Sequence, residues 1–158
     1  MRLSARLSFY STCLNVLCSE GIKSDEQRQG MEYSIVLTEY ATEKMIHTSI
    51  AGTLSEKVRN EIGVETVRMM RAHQVSKAIW DIREAKLDYP LIYSHQVVLN
   101  LAALGLQRGD YVAVIYFYDQ EQHQHASNVA FNRGILNIGY FLKMEDGIQW
   151  LIGKGAGA

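Results

Sequence analysis

The chain has 158 residues, 47% of them apolar and 21% charged, and a formal net charge of -1. That length fills one hydrophobic core rather than two, and the composition argues for a folded body over disorder. The charge balance excludes a nucleic-acid binder that depends on a general positive field, and no stretch approaches the roughly 20 apolar residues of a membrane-spanning helix.

Residues 1–30 start basic at Arg2 and Arg6, pass through an apolar stretch broken by Ser11, Thr12 and Asn15, and turn polar before Gly30. A secretory leader needs an unbroken apolar stretch and a small-residue cleavage site. A lipoprotein leader needs a small residue ahead of its cysteine, where Leu17 precedes Cys18. The segment therefore reads as an extension or a mis-assigned start, ahead of a domain over residues 31–153 that opens at Met31. Cys13 and Cys18 both lie in it, so no disulfide can staple the body, which suits a reducing, cytoplasmic setting. Their spacing supplies two thiolates with no neighbouring histidine or second cysteine pair, short of the four ligands of structural zinc. No metal or cofactor is expected.

From Met31 the pattern is regular. Tyr33, Ile35 and Leu37 alternate with Ser34, Val36 and Thr38, and residues 45–51 continue as a second strand after a turn near residues 41–43. Thr53-Leu54-Ser55-Glu56 has the form of a capping box, which predicts a helix that begins there and runs to about His73. Its apolar stripe is Val58, Ile62, Met69, Val67 and Met70, and Arg68 and Arg71 beside Glu65 read as its solvated face. Residues 77–82 are short, apolar and rich in bulky side chains, as in a strand covered on both faces. Pro90, the only proline, suits a first helical turn, and the helix predicted over residues 91–104 ends at Gly105. Residues 111–118 form a buried strand, residues 122–132 a helix ended by Gly134, residues 138–141 a last strand and residues 144–152 a closing helix. Residues 154–158 read as a flexible tail. The prediction is an α/β domain in the order β-β-α-β-α-β-α-β-α, with a mostly parallel sheet of about five strands and the first hairpin strand as its antiparallel edge.

Two segments carry a family resemblance. Ala78-Ile79-Trp80-Asp81-Ile82-Arg83 is similar to the leucine-aspartate-leucine-arginine strand of the STAS-like domains related to stage II sporulation protein AA, the anti-sigma-factor antagonist. Asn132-Arg133-Gly134, followed by a short strand and then Ile148-Gln149-Trp150-Leu151, resembles the closing turn, strand and helix of the same domains. The resemblance spans residues 33–152 and implies a STAS-like fold and a regulatory, protein-binding role. It also implies a phosphorylatable serine in an aspartate-serine-serine-glycine turn, but Asp88-Tyr89-Pro90-Leu91 stands there instead. Ser94, one turn further on, reads as a tolerated polar residue inside the helix. Ser127-Asn128 and Leu142-Lys143 are further departures, standing where those domains often carry glutamate-threonine and a threonine-aspartate cap.

The candidate binding residues are Asp81, Arg83, Tyr89, Tyr93, Asn132 and Arg133. Asp81 and Arg83 are two apart and so share one strand face, close to the carboxyl end where α/β domains often bind ligands; a local ion pair is the plainer account. Tyr89 and Tyr93, four apart, form an aromatic patch if exposed. Asn132 and Arg133 line the same edge if the sheet order follows the resemblance, and Asn132 serves equally well in the turn at Gly134. Neither His123 nor His125 has metal-ligand spacing, and both read as exposed helix residues; no phosphate-binding glycine loop occurs.

Without a recognisable nucleophile and base, the leading reading is a non-catalytic module that binds a protein partner or a second copy of itself. A small apolar or lipid-like ligand held between the second and third helices and the sheet is the alternative. An enzyme using Asp81, Arg83 and a histidine ranks third.

Overall fold

The first alternating stretch forms β1 (Met31–Tyr40), joined to β2 (Glu43–Leu54) by Ala41 and Thr42, both at positive φ. Mirror-image turns of this kind match the twist of a two-stranded ribbon, and they set the pairing of Tyr40 with Glu43. The computed structural model describes residues 30–90, 93, 96 and 101–154. The predicted extension upstream of Gly30, most of the helix predicted over residues 91–104, Ser94 and most of the tail lie outside the described residues.

α1 (Glu56–Ala72) follows β2, and its cap differs from the one predicted. Thr53 belongs to β2, whereas Ser55 is the N-cap and its hydroxyl accepts from the Val58 amide at 3.4 Å. The capping-box spacing is offset by two residues because Thr53 and Leu54 still find ladder partners in the sheet. Replacing Ser55→Ala is expected to cost about 0.5–1 kcal/mol in urea unfolding, the usual value of one N-cap hydroxyl.

β3 (Lys77–Leu87) is longer than the apolar core of its sequence suggests, since residues 51–54 of β2 pair with residues 84–87 beyond a bulge. Tyr93 and Gln96 are helical, and a 3-10 turn at Leu101–Leu104 ends at Gly105, whose φ of +89° is the left-handed stop the sequence predicts. β4 (Tyr111–Ile115) stops short of residue 118 because its partner β5 (Ile138–Phe141) offers nothing beyond the bond from the Tyr116 amide to the Phe141 carbonyl. α2 (Gln120–Asn132) begins after Asp119, and α3 (Met144–Gly153) closes the chain.

The sheet order is β1-β2-β3-β4-β5, with β1 antiparallel to β2 and every other pair parallel. Strand alternation then divides the core. Ile46, Ala78, Ile82, Val112 and Val114 face α1 and α2, while Met45, Ile79, Ala113 and Ile115 face Leu151 of α3. Gly147 lets α3 sit close: a Cβ there meets the Ile115 side chain at 2.4 Å.

Candidate functional site

Asp81 and Arg83 lie on the α3 side of the sheet, over β1 to β3, on an open face. Arg83 forks onto the Asp81 carboxylate, with Nε to Oδ1 at 2.8 Å and Nη2 to Oδ2 at 2.7 Å. His47 of β2 approaches the same carboxylate, its Nε2 3.8 Å from Oδ2, while its Nδ1 faces the Tyr40 hydroxyl at 2.9 Å. Partial burial on its own raises the Asp81 carboxyl, but the hydrogen bonds from Arg83 and then His47 outweigh it and hold the group well below the usual carboxylate range. The ion pair and the shared face are thus as the spacing implied. Glu32, Ser34, Ser49 and Glu84 rim a shallow polar depression beside the pair.

This cluster has the residue types of a hydrolytic triad without its geometry. Ser49 Oγ lies 3.4 Å from His47 Nε2, the nitrogen that also faces Asp81. A working triad sets nucleophile and carboxylate on opposite ring nitrogens, so that one takes the proton while the other orients the ring. Here Tyr40 occupies the nitrogen the carboxylate needs.

Tyr89 lies on the other side of the sheet. The Arg59 guanidinium stacks over its ring at 5.2 Å, and Gln122 Nε2 donates to its carbonyl at 2.8 Å. Burial, offset in part by Arg59, raises the Tyr89 hydroxyl above its ordinary value. Tyr93 is exposed. Asn132 and Arg133 are exposed at the end of α2, where the parallel strands begin, whereas Asp81 pairs with Ile115 near the end where they finish. The strand-order argument therefore does not bring them to the Asp81 edge; they sit at the turn completed by Gly134 at φ +69°.

Two buried residues escaped the sequence reading. His123, expected to be exposed, is buried with its ring 4.6 Å from that of Tyr116, and burial pushes its pKa down to about 4 against a weaker opposing pull from Asp119. Arg59 is only 4% exposed. A signal existed for both: Arg59 shares a helical stripe with Ile62, Gly63, Thr66 and Met70, and His123 shares one with Ala126 and Ala130. Both line an apolar cavity between α1, α2 and the sheet.

No protein-family model and no curated protein matches the sequence. Solved structures do match its shape. An uncharacterised protein of the DUF3478 family with a SpoIIAA-like fold, from Shewanella loihica PV-4, is 19% identical over 77% of this chain and 94% of its own, with a TM-score of 0.51. An anti-sigma factor antagonist from Mycobacterium paratuberculosis is 10% identical over 77% of this chain and 95% of its own, with a TM-score of 0.50.

The fold is STAS-like.

Within this STAS-like fold the resembling segments hold the core. Trp150 packs against Phe141 with centroids 5.6 Å apart, and Leu151 is fully buried beneath β4. The turn after β3 keeps Asp88, Tyr89 and Pro90 and no phosphorylatable serine among them. No helix among the described residues is long and apolar enough to cross a membrane.

Proposed function

We propose that this STAS-like domain is a non-catalytic regulatory module that binds a protein partner at the end of the sheet where its parallel strands finish. The observation that carries the reading is the Phe117-Tyr118 pair, 59% and 40% exposed and packed edge to face at 5.2 Å. The pair leaves the sheet directly after Tyr116. Lys86 lies over the Tyr118 ring at 4.9 Å, and the Asp119 carboxylate anchors the loop by accepting from the Leu87 amide at 2.8 Å. A held loop that offers two aromatic faces to water suits an interface, where such side chains supply large contact area at little entropic cost. Tyr93 adds a further exposed ring on the connection that follows β3. The likeness in fold to an anti-sigma factor antagonist supports a protein as the class of partner.

The test combines sedimentation of the purified protein over a range of concentrations with affinity capture from its native cells, followed by titration of the purified captured protein. The double variant Phe117→Ser, Tyr118→Ser is expected to weaken the complex roughly 30-fold or more, as loss of hot-spot aromatics does. Its thermal unfolding should match that of the parent. A strictly monomeric protein that captures nothing, or a partner that binds the double variant equally well, overturns the reading.

A further inference from the structure

The cavity between α1, α2 and the sheet has a volume of about 60 Å³ and a wall dominated by apolar side chains, among them Leu54, Met70, Trp80, Leu106 and Val114. At roughly 10–15 Å³ for one water, it has space for a few waters or for a ligand about the size of propionate, well short of the ~150 Å³ that holds a benzene ring. Into this wall projects Arg59, whose side chain ends in a cationic guanidinium.

Its company is meagre. Nη2 donates to Asn60 Oδ1 at 2.9 Å, the plane covers Tyr89, and Nη1 is buried with no partner. Four other cations of the described residues are matched by carboxylates: Arg68 by Glu65, Arg71 by Asp110, Lys77 by Glu43 and Arg83 by Asp81. Arg59 is more deeply buried than any of these and makes no ion pair among the described residues. A buried charge is normally paired, because desolvation without compensation is among the most costly arrangements a protein can hold. Gln122, also in the wall, has its Oε1 buried and unpartnered as well. An apolar chamber with one unanswered guanidinium describes its complement: an apolar body with an anionic head.

We propose that this cavity binds a small monocarboxylate, its hydrocarbon chain against the sheet and α1 and its carboxylate on Arg59 Nη1. A hydroxyl on the ligand beside the carboxylate has an acceptor waiting in Gln122 Oε1. The site is independent of the Phe117-Tyr118 surface, so either reading can fail without the other.

Trp80 in the wall and Trp150 on the opposite side of the sheet are the only tryptophans of the chain. In the Trp150→Phe variant, tryptophan emission therefore reports the cavity alone. Titration with propionate is expected to change that emission saturably, and propan-1-ol, with the same chain and no charge, to bind roughly 10- to 100-fold more weakly, the worth of one charge-assisted hydrogen bond. Adding Arg59→Leu should abolish the preference for the acid. Gly63→Leu should block both ligands, since even a Cβ at Gly63 stands 3.0 Å from Leu104 and 3.3 Å from Trp80. The acid-against-alcohol comparison needs no change at Arg59, so it decides even if Arg59→Leu fails to fold. No saturable response to propionate, or equal affinity for acid and alcohol, overturns the proposal.

Discussion

Lowering the pH from about 7 to about 4 is expected to weaken the fold by about 3 kcal/mol through His123 alone. The imidazole is held near 4 in the folded protein against an ordinary value of 6.5, with burial as the dominant cause. Above pH 6.5 the ring is neutral folded and unfolded, and it contributes nothing to the pH dependence. As the pH falls below that value the unfolded chain takes up a proton that the folded chain refuses, and stability drops until the pH reaches the folded value. Asp81 and Glu65 have lowered values, so their stabilisation persists down to their ordinary range, 3.8 and 4.5, and is lost mainly below it. Among the shifted groups of the described residues, the interval between about 4.5 and 6.5 thus belongs to His123. His123→Phe keeps a ring between Tyr116 and Tyr140 and removes the titration. Urea unfolding at a series of pH values should give a sloping stability curve for the parent and a nearly flat one for the variant over that interval. Parallel curves would show that the buried ring is not the source.

Arg71→Met is expected to cost about 2–3 kcal/mol, whereas Arg68→Met, three residues earlier on the same helix, is expected to leave stability nearly unchanged. Both guanidiniums face carboxylates, but the surroundings differ. Arg68 pairs with Glu65 on its own helix in open water, where screening and side-chain entropy cancel most of the attraction. Arg71 reaches across to Asp110, with Nη1 to Oδ1 at 2.9 Å, a second bond from Nη2 to Oδ2 and a third to the Gly105 carbonyl at 3.1 Å. The Asp110 side chain is 4% exposed and also accepts from the Gln107 amide at 2.7 Å, so removing the arginine leaves a charge that water cannot reach. The exposed outer side of Arg71 keeps the cost below that of a fully buried pair. Equal losses for the two variants in chemical denaturation would contradict this division.

The same two arginines show how far the sequence could be read. Spacing put Arg68 and Arg71 together on a solvated face, which holds for both, but it did not show that Arg71 also grips Asp110, which lies 39 residues away and is brought there only by chain folding. The candidate residues divide for the same reason. Asp81 and Arg83 are joined through the two-residue period of one strand, a local property that the sequence displays. Tyr89 is separated from them by the sheet itself, and Asn132 and Arg133 by the length of α2. His47, which completes the polar cluster, stands on a neighbouring strand and had no local mark.

The alternation of strands, the stripes of α1 and the glycine stops at Gly105 and Gly134 were sufficient to determine the order of the described strands and of α1, α2 and α3, and with the right-handed crossover rule the mixed sheet. These are short-range properties, since each depends on φ and on side-chain period within a few residues. Whether a polar side chain on an apolar stripe is packed, paired or left facing a cavity depends on which distant element covers it. Tertiary structure alone therefore decided that His123 is buried, that Asp110 is clamped and that Arg59 lines an apolar chamber with no anion beside it among the described residues.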